Sequence, residues 1–244
     1  LSLVTAWHRI RNGWDLVKPD PAKTIAWNFF YTLNGKPADD DVVKMFDIAL
    51  ILHADHEMNA STFSARVTTA TLSDVYSAIT SAIGTLKGPL HGGANEQVMR
   101  MLEKVGSLEK VEPWLRNAIE KKDKIMGFGH RVYKNGDPRA KILRELSDKV
   151  TKKAGKHHLY EMSVKINDIM EGEKGLLPNV DFYSATVYHC MGIPTDIFTP
   201  VFAVSRVSGW LAHVMEQLKG NRLIRPRSIY VGKMDQKWKP LSAR

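Results

Sequence analysis

Apolar residues recur along this chain at helical spacing and almost nowhere alternate with polar ones. Between 42 and 55 they fall at Val43, Phe46, Leu50 and Ile51, the pattern of an amphipathic helix. Ser73 is a favoured N-cap for a helix running to about Leu86, and another helix fits 93–105. Pro113 suits the first turn of one running to about Lys124, with Trp114, Leu115, Ala118 and Ile119 apolar. Segments 140–153 and 160–171 read similarly. Segment 201–218 is the clearest, with Val201, Val204, Val207, Leu211, Val214 and Leu218 on one stripe. Only 228–232 has the alternation of a short strand. The pattern predicts an all-α fold.

Four breaks interrupt these helices, at 87–93, 127–139, 175–181 and 192–200. They are rich in Gly and Pro, which permit tight turns. Each of them carries a His, Arg or Asp, and loops braced by rigid helices are where active sites tend to lie. No internal repeat interrupts the order.

Composition narrows the class. The chain has 244 residues, 43% hydrophobic and 25% charged, so neither disorder nor low complexity fits. At this length a fold buries about 70% of its unfolded surface, enough for one large domain or two smaller ones. The longest apolar run, Ile48 to Leu52, stops at His53, far short of a membrane span. A single cysteine, Cys190, fits a reducing compartment, and a cytoplasmic location is expected. The net charge of +9 suits anionic partners. Residue 1 is leucine, and 3–14 read like the interior of a structure, so a further N-terminal segment is expected.

Several chemistries are absent. No phosphate loop, dinucleotide fingerprint or nucleophile elbow occurs. His56-Glu57 lacks the second histidine of a zinc-protease helix, and His53 with His56 alone does not complete a metal shell, so no metal is expected. The lysines of 141–156 lack interleaved aromatics and read as a solvated face rather than a nucleic-acid surface.

What remains is a set of histidines, arginines and one aspartate in the breaks. His91 stands just before a helix, where the positive helix end keeps an imidazole neutral; it is a hydrogen-bond donor to a ligand or the cap of a turn. His130 follows Gly127-Phe128-Gly129, which lets a ligand approach the backbone; it is a site residue or a solvated loop histidine. Asp181 is a helix N-cap or a base. Arg206 lies one position off the apolar stripe at the core edge and needs an anion, supplied by the protein or by a substrate. Arg139 and Arg225, each beside a proline, face the same two alternatives.

Taken together, these segments resemble the citrate synthase family. The resemblance is carried by His53-Ala54-Asp55-His56-Glu57-Met58-Asn59-Ala60-Ser61-Thr62, by Gly88-Pro89-Leu90-His91-Gly92-Gly93-Ala94-Asn95 and by Gly127-Phe128-Gly129-His130-Arg131-Val132-Tyr133. Asp137-Pro138-Arg139, Asn179-Val180-Asp181, Ser205-Arg206 and Arg225-Pro226-Arg227 follow in the family's order and spacing. The His-Glu-Met-Asn-Ala-Ser wording is similar to the shorter bacterial and archaeal type. Family chains begin well before Leu1, with further helices of the large domain.

The resemblance implies acetyl-CoA plus oxaloacetate plus water giving citrate and CoA, the condensation of the tricarboxylic acid cycle. It implies Asp181 as the base, neutral His91 as donor to the thioester oxygen, and His130 as donor to the oxaloacetate ketone. Arg139 and Arg206, with His56, would bind the oxaloacetate carboxylates. Arg225 would reach across a homodimer interface. CoA, a substrate rather than a bound cofactor, would lie along Ile125, Met126, Gly127, Phe128 and Gly129, with Lys134 near its phosphates. The implied architecture is a large helical domain over 1–92 and 198–244 and a small one over 93–197. Alternatives are a 2-methylcitrate synthase using propionyl-CoA, and an inactive helical fragment or binding module. Neither nucleic acid nor membrane is an expected partner.

Overall fold

The computed structural model describes residues 1–88, 91–130 and 132–243. Pro89, Leu90 and Arg131, three residues of the motifs above, lie outside the described residues. Eleven α-helices are described: α1 (Ser2–Arg11), α2 (Ile25–Asn34), α3 (Asp40–His53), α4 (Ala60–Ala70), α5 (Val75–Leu86), α6 (Ala94–Val105), α7 (Leu108–Glu120), α8 (Pro138–Lys153), α9 (His158–Lys174), α10 (Val180–Cys190) and α11 (Phe198–Lys219). Single 3-10 turns occupy Thr195–Ile197 and Leu241–Ala243. Among the described residues there is no strand, so the fold is all-α, and 228–232 is exposed irregular chain. Its alternating side chains have no neighbouring strand to pair with, and period-two patterning without a partner ladder makes no sheet.

The helices α3, α8, α9 and α11 start two or three residues earlier than expected, and three other starts differ in cap or position. Asp74 rather than Ser73 caps α5, its Oδ1 accepting from Ser77 N at 2.9 Å. The turn before Pro113 is already helical, because Leu108 and the buried Val111 pack inward there, and the proline sits inside α7. The helix at 180 is capped by Asn179, whose Oδ1 accepts from Asp181 N at 3.0 Å; Asp181 is therefore in the first turn and is not the cap.

α10 is the axis of the larger core. Phe182 through Tyr188 are all buried, which suits a helix covered on every side. It packs on α6 and α8, with Ser147 and Thr186 hydrogen-bonded across the α8 contact at 2.7 Å. Phe29, Phe30 and Phe46 stack at 4.8–5.5 Å between centroids and tie α2 to α3. A second core joins the α4–α5 hairpin to α11 through Ala65, Ala78, Ala82, Leu86, Phe202, Trp210 and Val214. Each large side chain fully buried in this way contributes roughly 1.5–3 kcal/mol.

α11 buries a face rotated from the expected stripe. Its buried residues are Phe198, Val201, Phe202, Ser205, Arg206, Gly209, Trp210, Val214 and Gln217. Leu211 and Leu218 are exposed. Arg206, expected at the core edge, is only 1% exposed. Gly209 turned the face: its amide donates to Ala54 O at 3.2 Å, and a Cβ there would stand 2.8 Å from Asp55 Oδ1. A helix can approach another backbone that closely only where the side chain is absent.

Candidate active site

Several element ends converge on one open cleft of about 630 Å³. His56 and Asn59 come from the loop between α3 and α4, and His91 from the approach to α6. Segment 126–130 forms one wall. Arg139 comes from the start of α8, Asp181 from the start of α10, and Phe202 and Arg206 from α11.

Asp181 retains some surface toward the cleft, but its Oδ1 is closed from solvent and has no hydrogen-bond partner. Burial pushes its pKa up to about 7; Arg139 and Arg206 pull it down and Asp137 adds to the rise. A carboxylate that gives up its proton near neutrality is a serviceable base.

His91 points Nε2 at Ser61 Oγ, 2.8 Å away. Ser61 Oγ also accepts from Trp210 Nε1 at 3.1 Å and donates to Asn59 Oδ1 at 2.8 Å. With the single hydroxyl proton on Asn59, His91 Nε2–H is the donor to Ser61; turned to His91 instead, that proton leaves the ring hydrogen on Nδ1, facing a ligand. Burial, then the charges of Arg206 and His56, lower the His91 pKa to about 4, so the ring is neutral at pH 7. His130 is half-buried, not a solvated loop residue. Its Nδ1 accepts from the amides of Val132 at 3.0 Å and Tyr133 at 3.1 Å, so the neutral ring carries its hydrogen on Nε2. Burial also lowers its pKa. The His56 ring is 5.0 Å from that of His130 and 5.3 Å from Tyr133. Its Nε2 is buried without a partner, and burial followed by Arg139 keeps the ring neutral.

The two arginines resolve their alternatives differently. Arg139 has a protein carboxylate: Nε donates to Asp137 Oδ1 at 2.9 Å and Nη2 to Oδ2 at 2.7 Å. Burial raises the Asp137 pKa, but these bonds hold it below the usual range. Asp137 also accepts from Val180 N at 3.1 Å, locking the start of α8 to the start of α10. Nη1 of Arg139 remains buried and unpartnered. Arg206 donates Nε to His53 O at 2.6 Å and lies 4.8 Å from the Phe202 ring centroid. Among the described residues it has no ion-pair partner. Burial and then Arg139 lower its pKa to about 10, while Asp55 and Asp181 oppose the drop.

Segment 126–129 is stitched to the approach of α10. Gly129 N donates to Leu177 O at 3.0 Å, Asn179 N to Gly127 O at 2.9 Å, and Asn179 Nδ2 to Gly129 O at 3.0 Å. Gly127 has φ +85°, and a Cβ there would sit 2.9 Å from both Phe182 and Val98. Ile125 is buried in the core, while Met126, Phe128 and Gly129 line the cleft. Lys134 lines a neighbouring hollow of about 200 Å³ that shares His130 and Gly129 with the cleft. Arg225 is not brought to this cleft; it is exposed beyond α11, donating to Pro226 O at 2.5 Å. Sequence reasoning gave no role to Ser61, Trp210, Asn59, Asp137 or Phe202. Ser61 and Asn59 stood in the His56 motif, but Trp210 and Phe202 carried no signal beyond apolar spacing. Among the described residues no three His, Cys, Asp or Glu side chains gather as a metal cluster, and no helix is long and apolar enough to cross a membrane.

Residues 1–227 match the family model "Citrate synthase, C-terminal domain". Citrate synthase 2 of Bacillus subtilis is 61% identical over 242 residues, 99% of this chain and 65% of that protein. Citrate synthase of Haloferax volcanii is 54% identical, covering 100% of this chain and 64% of its own length. A 2-methylcitrate synthase of Shewanella oneidensis is 44% identical, over 100% of this chain and 65% of that protein. Among solved structures, the citrate synthase of the archaeon Thermoplasma acidophilum, in a ternary complex with carboxymethyl coenzyme A and oxaloacetate, superposes with a TM-score of 0.91 at 40% identity. That match covers 99% of this chain and 65% of the other. The chain thus spans about 65% of the length of the relatives it matches, and by family model, sequence identity and fold it belongs to the citrate synthase family.

Proposed function

We propose that the protein condenses acetyl-CoA with oxaloacetate and hydrolyses the thioester to give citrate and CoA. The observation that carries this reading is a set of buried, unsatisfied polar atoms on one cleft: Asp181 Oδ1, His56 Nε2 and Arg139 Nη1, beside an Arg206 with no carboxylate partner. Buried polar atoms without partners are rare and mark where a ligand completes the structure. Here the donors suit a small dianion, and the lone carboxylate suits a base.

Arg206, Arg139 and His56 bind the oxaloacetate carboxylates. Asp181 removes a proton from the acetyl methyl group while neutral His91 hydrogen-bonds the thioester oxygen as it gains enol character. The enol carbon attacks the ketone, and His130 Nε2–H donates to the oxygen that becomes the citrate hydroxyl. Water then cleaves the thioester, releasing CoA. CoA runs along 125–129, with Lys134 near its phosphates.

The chain divides, on this reading, into a large domain of 1–92 and 198–244 and a small domain of 93–197. Oxaloacetate closes one on the other before acetyl-CoA is committed. Small-angle scattering tests this: compaction is expected on adding oxaloacetate, and no compaction counts against closure. The apolar outer faces of α5 and α11, with Tyr76, Ile83, Met215 and Leu218 exposed, support a homodimer in which Arg225 serves the partner's site.

Acetyl-CoA is preferred over propionyl-CoA because the 50–61% identical relatives are named citrate synthases and the 2-methylcitrate synthases stand at 43–44%. The decisive experiment is thiol release by the whole protein. Free CoA appears only with both substrates, and faster from acetyl-CoA; no release with either acyl-CoA ends the enzymatic reading.

A further inference from the structure

α11 passes the end of α3 with a single face. Arg206 sits on that face, Gly209 about a turn further, and His213 a turn beyond that. Asp55 lies over Gly209, 2.8 Å from the place a Cβ would occupy. Its carboxylate thus rests between two nitrogen-bearing side chains of the same helix. It takes His213: Nε2 to Asp55 Oδ1 is 3.2 Å. No ion pair joins Asp55 to Arg206, although the Asp55 charge is felt there and opposes the effect of burial on the guanidinium. His213 is itself held from behind. Its Nδ1 accepts from Arg66 Nη1 at 3.2 Å, which leaves the ring hydrogen on Nε2, facing Asp55. Arg66 is fixed in turn by Glu216 and by Gln217 Oε1, the latter at 3.0 Å.

We propose that His213 is a positioning residue: it parks the Asp55 carboxylate beside Gly209 and so keeps the Arg206 guanidinium free for a substrate carboxylate. Released from His213, Asp55 is an anion about one helical turn from a buried, unpaired cation. Pairing would satisfy Arg206 internally, at the place the substrate dianion needs. An internal competitor weakens apparent affinity by the fraction of molecules in which the arginine remains free, and leaves the chemical step unchanged once substrate has displaced it.

The inference rests on the functional reading above, and one experiment separates the two. Steady-state kinetics with both substrates, and calorimetric titration of oxaloacetate alone, compare the whole wild-type protein with His213→Ala, His213→Gln, Asp55→Asn and the His213→Ala/Asp55→Asn pair. His213→Ala raises the oxaloacetate KM and Kd about tenfold with kcat unchanged. His213→Gln, whose amide still donates to Asp55, stays within about twofold. Asp55→Asn alone stays near wild type, and adding it to His213→Ala restores affinity, which loss of a merely structural contact does not do. An unchanged Kd in His213→Ala overturns the proposal, as does a raised Kd that Asp55→Asn fails to restore. Should the alanine variant not fold, His213→Met keeps the volume without the donor and is judged by the same outcomes. A wild type that binds oxaloacetate without turnover refutes the functional reading, while the titrations still decide the role of His213.

Discussion

Asp181 is where burial and chemistry meet most directly. Its pKa of about 7, against 3.8 for the free side chain, means that ionising it in the fold costs ~4 kcal/mol more than in the unfolded chain. The folded state holds the proton more tightly, so this group favours folding below about pH 4, and that contribution is lost as pH rises toward 7. Asp181→Asn, which cannot ionise, has a melting temperature close to wild type at pH 4.5 and above it at pH 8; a gap that stays constant with pH shows that the carboxyl is not desolvated. Catalysis runs the other way. As the base proposed above, Asp181 must be ionised, so kcat/KM is expected to rise through about pH 7, while His91, neutral above about pH 4, adds no limb in that range. Asp181→Asn abolishes turnover yet keeps oxaloacetate affinity. Arg206→Leu instead weakens oxaloacetate on the order of 100-fold, because it removes an unpaired cation already desolvated in the cleft. Equal effects of the two variants in a binding titration contradict the division of roles. In the sequence these residues were legible as candidates, since each sits in a Gly/Pro break or beside the apolar stripe. Their alternatives were not resolvable there: Asn179 rather than Asp181 caps α10, and Asp137 satisfies only part of Arg139.

Helices depend on both pattern and punctuation, and the chain is more explicit about the first. The long amphipathic segments were readable because one face is apolar at helical spacing. α1, α2, α4 and α10 were less so. α4 offers small and hydroxyl residues, Ala65, Thr69 and Ala70, whose burial reflects close packing against α5 and α11 rather than hydrophobicity. α10 is covered on every side, so it shows no stripe. α11 was misread by rotation: valines and leucines marked one face, but Gly209 and Trp210 determined which face packs. The wall at 126–129 carries a prediction at this scale. Gly127 adopts φ +85° against Phe182 and Val98. Alanine there combines left-handed backbone strain with overpacking, an expected loss of about 2–4 kcal/mol. Thermal melting of Gly127→Ala shows that loss together with a raised acetyl-CoA KM; if the variant melts like wild type, the segment is not locked as described.

At the scale of the whole molecule, the charge that most needs explanation is Arg225. Like the cleft residue Arg139 it stands beside a proline, yet it lies on exposed chain beyond α11 and does not reach the cleft of its own chain. Along the same segment Leu223, Ile229, Tyr230, Val231 and Trp238 are exposed, apolar surface that is costly to leave in water. A two-fold dimer in which this arm lies on the partner removes both oddities, because in such an interface each chain gives and receives the same residues. The arrangement is testable by complementation. Asp181→Asn lacks the base but carries Arg225; Arg225→Ala carries the base but lacks the arm's cation. In a mixed dimer, a site that borrows Arg225 from its neighbour is intact in the Arg225→Ala chain and doubly defective in the other. Random exchange of two inactive homodimers then restores about a quarter of the wild-type rate per site, since half the dimers are mixed and each has one working cleft. If each cleft uses its own Arg225, mixing restores nothing, and the arm's cation must reach the site within one chain.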